Sequence, residues 1–137
     1  MWLGSIEIAE KKVAQGGAPA YMYMFTHESN LVVPGTTHRL GAAHATDIWY
    51  KFDNVDEAPN PERPSLIGTD PDRQQAARNM SEMWATFART GHPGAKGAPV
   101  WPAYTLPKRA TMMIDAQCRV EENPFGPELA LWDSLKS

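Results

Sequence analysis

The residues best suited to chemistry lie in one short run, Gly41-Ala42-Ala43-His44-Ala45-Thr46-Asp47. An imidazole changes charge near neutral pH, so it can take a proton from a nucleophile and return it to a leaving group. Small neighbours let a substrate or another backbone approach the ring, and a carboxylate three positions on can fix its orientation or tautomer. The residues alone leave two readings open, a catalytic base and an exposed loop histidine. A nucleophile to go with it is not found: Ser5, Ser29, Ser65, Ser81, Ser134 and Ser137 all lack the flanking glycines of a G-x-S-x-G elbow. Glu7 and Glu10 read as helix-face carboxylates and Glu28 as a solvated loop residue.

Other chemistry finds less support. His38 and His44, six residues apart, with Asp47, fit neither one helical turn nor the usual zinc spacings, so no metal or cofactor is expected. His27 and His92 read as solvated loop histidines. Cys118, the only cysteine, excludes an intramolecular disulfide, and with no histidine or helix start near it in sequence it is assigned packing rather than reactivity.

The elements that must position His44 are few. Ser5 can cap a helix over residues 6–15, in which Ile6, Ala9 and Val13 recur at helical spacing and Gly16-Gly17 ends it. Residues 20–25 alternate Tyr21, Tyr23 and Phe25 with Met22 and Met24, so both faces are apolar, as in a strand with neighbours on both sides. Residues 26–40 read as a polar loop around Pro34-Gly35, residues 48–52 as a short apolar segment, and residues 55–70 as an irregular excursion. The best-defined helix runs from about Pro71 to Thr90, with Asp70 as its cap, Gly91 beyond its end, and a stripe of Ala76, Met80, Met83, Trp84 and Phe87. A short strand over residues 111–114 and a closing helix over 127–135, with Leu131 and Leu135 one turn apart, complete the set. Two strands and three helices separated by long proline-rich connections make a thin inventory for a self-standing domain.

Composition excludes several partners. The 137 residues carry a net charge of −3 with 13 dispersed Lys and Arg, so there is no basic footprint for nucleic acid. No stretch approaches the roughly twenty apolar residues of a membrane span, and Met1-Trp2-Leu3-Gly4 lacks the pattern of a signal peptide. Twelve prolines are about twice the average share, which limits regular structure.

Several blocks, taken in order, resemble the type B carboxylesterases and lipases, the family that also contains the cholinesterases. Residues 19–25, PAYMYMF, look like its strand before the histidine loop, and residues 40–52, LGAAHATDIWYKF, like its histidine block. Residues 80–91, MSEMWATFARTG, Trp101-Pro102-Ala103-Tyr104 and residues 110–115, ATMMID, are similar to its C-terminal helix, Trp-Pro-x-Tyr turn and last strand. The resemblance runs from Ile6 to about Trp132. It implies an α/β fold, namely the final strands and helices of an α/β-hydrolase, with the chain an incomplete domain. It implies that His44 is the base of a Ser-acid-His triad whose serine, acid and oxyanion hole belong upstream. Asp47 stands where the family usually has a buried glutamate behind the histidine and is not the triad acid. Trp49 replaces a usual proline and Lys51 a usual apolar residue. The expected partners are then the missing N-terminal portion of the same hydrolase and, for the complete enzyme, an ester substrate. The isolated chain is expected to be inactive, with self-association through exposed apolar surface. The family also contains adhesion proteins that have lost catalysis, so a non-catalytic interaction module is the competing expectation.

Overall fold

The computed structural model describes residues 2–56 and 65–135. Half of the 55–70 excursion, residues 57–64, therefore lies outside the described residues, and Val55 and Ile67 on either side of it are buried. Five strands and four helices are formed among the described residues: α1 (Trp2–Gln15), β1 (Met22–Phe25), β2 (Ser29–Val32), β3 (Arg39–Gly41), α2 (Asp47–Lys51), α3 (Arg73–Thr90), β4 (Thr111–Ile114), β5 (Arg119–Glu121) and α4 (Gly126–Ser134). The strands form a three-stranded sheet of order β1-β4-β5 and a separate two-stranded sheet, β2-β3.

The chain groups into two compact units. One takes in the described residues up to Tyr23, Trp101–Met112, and those from Val120 onward. It holds α1 and α4, and its buried residues include Ile6, Ala9, Trp101, Tyr104, Met112 and Leu129. Tyr21 and Tyr23 both meet the Trp101 ring edge-on, at centroid distances of 6.1 and 6.2 Å. Such contacts use the quadrupoles of the rings as well as their area. An ion pair from Arg109 Nε to Glu10 Oε1, at 2.8 Å, ties α1 to the segment before β4, so Glu10 serves the helix face as expected. The other unit comprises the described parts of Met24–Val100 with Met113–Arg119, and contains α2, α3 and the β2-β3 pair. Its core is Tyr50, Ile67, Ala76, Ala77, Met80, Met83, Met113 and Ile114.

Several sequence expectations are corrected. The helix expected over 6–15 begins at Trp2, so Ser5 lies inside α1 instead of capping it. The polar loop expected over 26–40 is instead an antiparallel hairpin in which Ser29 faces Gly41 and Val32 faces Arg39. Its turn is closed by the Val33 N–H donating to His38 O at 2.9 Å, around Pro34 and Gly35, whose φ is +78°. A glycine serves there because other residues resist positive φ. The apolar segment 48–52 is a short helix, and β5 arises where no strand was expected. The strand with apolar residues on both faces, β1, ends the sheet and is half-buried throughout, whereas β4 is the central and fully buried strand. Side-chain alternation reports the two faces of a strand, and says nothing of how many edges are paired.

The best-defined helix keeps its end and shifts its start. Gly91, with φ +75°, donates its N–H to Phe87 O at 2.8 Å, which is the left-handed C-terminal cap. At the other end α3 begins at Arg73. The Asp70 carboxylate accepts the Asp72 N–H at 2.8 Å and thereby organises the turn that leads into the helix. Ala76, Met80 and Met83 are buried as expected, together with Ala77 and Asn79, but Trp84 and Phe87 are 43% and 44% exposed. Leu131 on α4 and Leu135, the residue that caps its end, are exposed, and Leu129 is the buried residue of that helix. Spacing defines a stripe, and the width covered depends on what packs against it.

Candidate active site

The His44 loop is built from its backbone outward. Gly41, the last residue of β3, has φ +65° and turns the chain out of the hairpin, and Ala45 holds φ +67°. A non-glycine residue in this region is uncommon and persists only where its surroundings hold it. Those surroundings are the Thr46 hydroxyl, which is buried and donates to Ala43 O at 2.7 Å, and the Ile48 N–H, which donates to Ala45 O at 3.2 Å. His44 sits at the crest of this turn, with its side chain exposed. Among the described residues its ring has no hydrogen-bond or ion-pair partner. Ala42, Ala43 and Ala45 leave space around it, so a second surface can reach the imidazole.

Asp47 opens α2. Its carboxylate pairs with Lys51 at 2.6 Å, one turn on, and both side chains are half-buried. The Lys51 ammonium also lies 5.1 Å from the centre of the Trp84 ring, within cation-π range. Lys51, which departs from the resembled pattern, is thus accommodated by a carboxylate and an aromatic face of α3. Tyr50 is the buried anchor of α2, 1% exposed, with its ring 4.6 Å from Phe25 and 5.4 Å from His27. Burial pushes its hydroxyl from the usual 10.0 to about 12, partly offset by the charge of Arg73.

His27, expected to be solvated, is buried at 5% exposure. Its Nδ1 lies 2.8 Å from Asp115 Oδ1, and its buried Nε2 has no hydrogen-bond partner among the described residues. The sequence hid this contact because its two members stand 88 residues apart. His92 is exposed as expected, and so is His38. Among the described residues no group of three or more His, Cys, Asp or Glu is placed to hold a metal ion. Cys118 donates to Asp115 O at 3.3 Å, and burial pushes its thiol up, which lowers the thiolate fraction that reactivity needs. Two depressions of about 490 and 560 Å³ in this unit are lined by polar residues such as Glu28, Arg39, Asp72 and Arg119, and His44 borders neither. Among the described residues no helix is long and apolar enough to cross a membrane.

His44 is thus an exposed histidine on a turn of small residues, carried from a hairpin into a helix. A model described as "Carboxylesterase family" matches residues 1–132. Carboxylesterase 1C of Rattus norvegicus is 26% identical over 129 residues, covering 93% of this chain and 22% of that protein. Liver carboxylesterase of Sus scrofa is 27% identical over 122 residues, covering 88% and 20%. The crystal structure of a Geobacillus stearothermophilus carboxylesterase superposes with a TM-score of 0.72 at 33% identity, over 96% of this chain and 25% of that one. The chain therefore spans about a fifth of the length of the curated relatives it matches. The expected fold class stands: the strands and helices are those of part of an α/β-hydrolase. By a family match that covers all but its last few residues, the chain belongs to the carboxylesterase family.

Proposed function

We propose that the chain is the C-terminal segment of a serine carboxylic-ester hydrolase and that His44 is the general base of its triad. The observation that carries this reading is the exposed imidazole on a turn of alanines, within the block that resembles the family's histidine loop. In the complete enzyme His44 takes the serine proton as the hydroxyl attacks the ester carbonyl and returns it to the departing alcohol. In the second half it takes a proton from the water that attacks the acyl-serine carbonyl and returns it to the serine oxygen as that ester bond breaks, which releases the carboxylic acid. Asp47, at the start of α2, supports the loop through its ion pair with Lys51 at the helix's end and is not the triad acid. The nucleophile, the acid and the oxyanion donors come from the N-terminal portion of the same hydrolase, which is the chain's proposed partner. Nothing in the site favours a non-catalytic adhesion module.

Without a nucleophile there is nothing to acylate, so the isolated chain is expected to hydrolyse an activated ester no faster than an equal concentration of free imidazole. Turnover well above that level, lost in His44→Ala, overturns the division of labour proposed here. The matching positive test uses a fluorophosphonate, which marks an activated serine. An upstream carboxylesterase portion supplied in trans should be labelled in the presence of this chain and far more slowly with His44→Ala. Equal labelling by the two chains removes His44 from the triad.

A further inference from the structure

We infer that His27 and Asp115 are positioning residues for the loop that carries His44, acting through the ring of Tyr50. The importance of this link for catalysis rests on the general-base reading above, but the link itself rests on geometry. Asp115 is a well-held acceptor. Its Oδ1 takes the Ala116 N–H at 2.7 Å, while Asn79 Nδ2, buried on α3, donates to the carbonyls of Asp115 and Ala116 at 2.8 and 3.1 Å. The same Oδ1 meets His27 Nδ1 at 2.8 Å. A carboxylate acceptor places a proton on Nδ1. Because Nε2 has no partner among the described residues, the bond to Asp115 is the one polar tie that fixes the plane of the ring.

That plane matters because Tyr50 rests on it. The His27 and Tyr50 rings lie 5.4 Å apart at 53°, and Phe25 completes the cluster at 4.6 Å from Tyr50 and 6.3 Å from His27. Tyr50 in turn is the buried residue of α2, a helix of five residues with no side-chain cap. A helix that short has no stability of its own and is placed by its tertiary contacts. The turn bearing His44 runs directly into it, through the Thr46 and Ile48 bonds. A path of contacts therefore leads from Asn79 on α3 to Asp115, His27, Tyr50 and the His44 loop, all inside one compact unit. For a base that must sit within hydrogen-bond reach of its nucleophile, small displacements of this loop are costly.

The test is amide hydrogen exchange on the full chain, read for Ile48 and Asn54, whose N–H groups close the turn and the end of α2 on Ala45 O and Trp49 O. His27→Phe keeps a ring against Phe25 and Tyr50 and removes the bond to Asp115. Asp115→Asn keeps the shapes and removes the charge. In both, these two amides are expected to exchange at least about tenfold faster, while the amides of α3 keep their protection, since a bond to a charged acceptor is being lost locally. Nitrogen NMR of the unaltered chain is expected to show His27 protonated at Nδ1. If His27→Phe does not fold, Asp115→Asn and the tautomer decide. Unchanged exchange at Ile48 and Asn54, equal acceleration throughout α3, absent protection in the unaltered chain, or an Nε2-protonated His27 each overturns the inference. Ester turnover enters neither readout. A reconstituted enzyme indifferent to His44→Ala removes the general-base reading and leaves this link standing, whereas unchanged exchange removes the link alone.

Discussion

Tyr50 shows what burial does to a single group. Its phenol, 1% exposed between Phe25 and His27, is held at about 12, so the native chain keeps it neutral at pH values where an unfolded tyrosine ionises. The sign follows from the raised value. The stabilisation is fully present below the unfolded value near 10 and is lost as pH rises through about 12. Alkaline titration followed by tyrosinate absorbance is expected to show Tyr50 ionising after an ordinary tyrosine, together with the loss of native structure. Tyr50→Phe should flatten the fall in unfolding midpoint across that interval, and an unaltered fall would contradict the assignment. At this scale the sequence was only partly legible. The exposure of His44 on a loop could be read because its small neighbours are local features. The burial of His27 could not, because its partner Asp115 is brought to it by the sheet, and a polar loop was expected where β2 and β3 pair.

Among the elements, α3 carries the unit that holds His44, and Asn79 is its most informative residue. The side chain is buried, accepts from Gln75 Nε2 at 2.9 Å and donates to two carbonyls beyond β4. Asn79→Leu keeps the approximate volume and strands both carbonyls, so a loss of about 2 kcal/mol or more is expected in urea unfolding. A change below about 0.5 kcal/mol would show that water or relaxation satisfies those groups. The existence and C-terminal end of α3 were readable from Met80, Met83 and Gly91, because helical spacing and a left-handed cap are written locally. Which part of its stripe is covered was not: Trp84 and Phe87 belong to the stripe by spacing and are exposed. The same applies to Leu131 of α4 and Leu135 at its cap. Short strands such as β5, three residues long, carry too few side chains for a period to be recognised.

Over the whole molecule, the resemblance of ordered blocks identified an α/β-hydrolase segment where element counting alone gave a sparse α/β chain. The family match over residues 1–132 and the carboxylesterase structures agree with that. What the blocks could not convey is how much apolar surface is left open. Phe52 is 77% exposed, Val100 88% and Leu135 70%, alongside Ile48, Trp84 and Phe87. Exposed apolar area on this scale favours association. Sedimentation velocity on the isolated chain is therefore expected to show assemblies that grow with concentration, and a single monomeric species across the micromolar range would contradict this. The role of the His44 imidazole is decided by ester turnover of the chain reconstituted with an upstream carboxylesterase portion. His44→Ala is expected to lower kcat by several orders of magnitude, with serine-hydrolase templates losing about a million-fold, and added imidazole to restore part of the loss. A reconstituted enzyme that hydrolyses the ester equally well with His44→Ala would contradict that role.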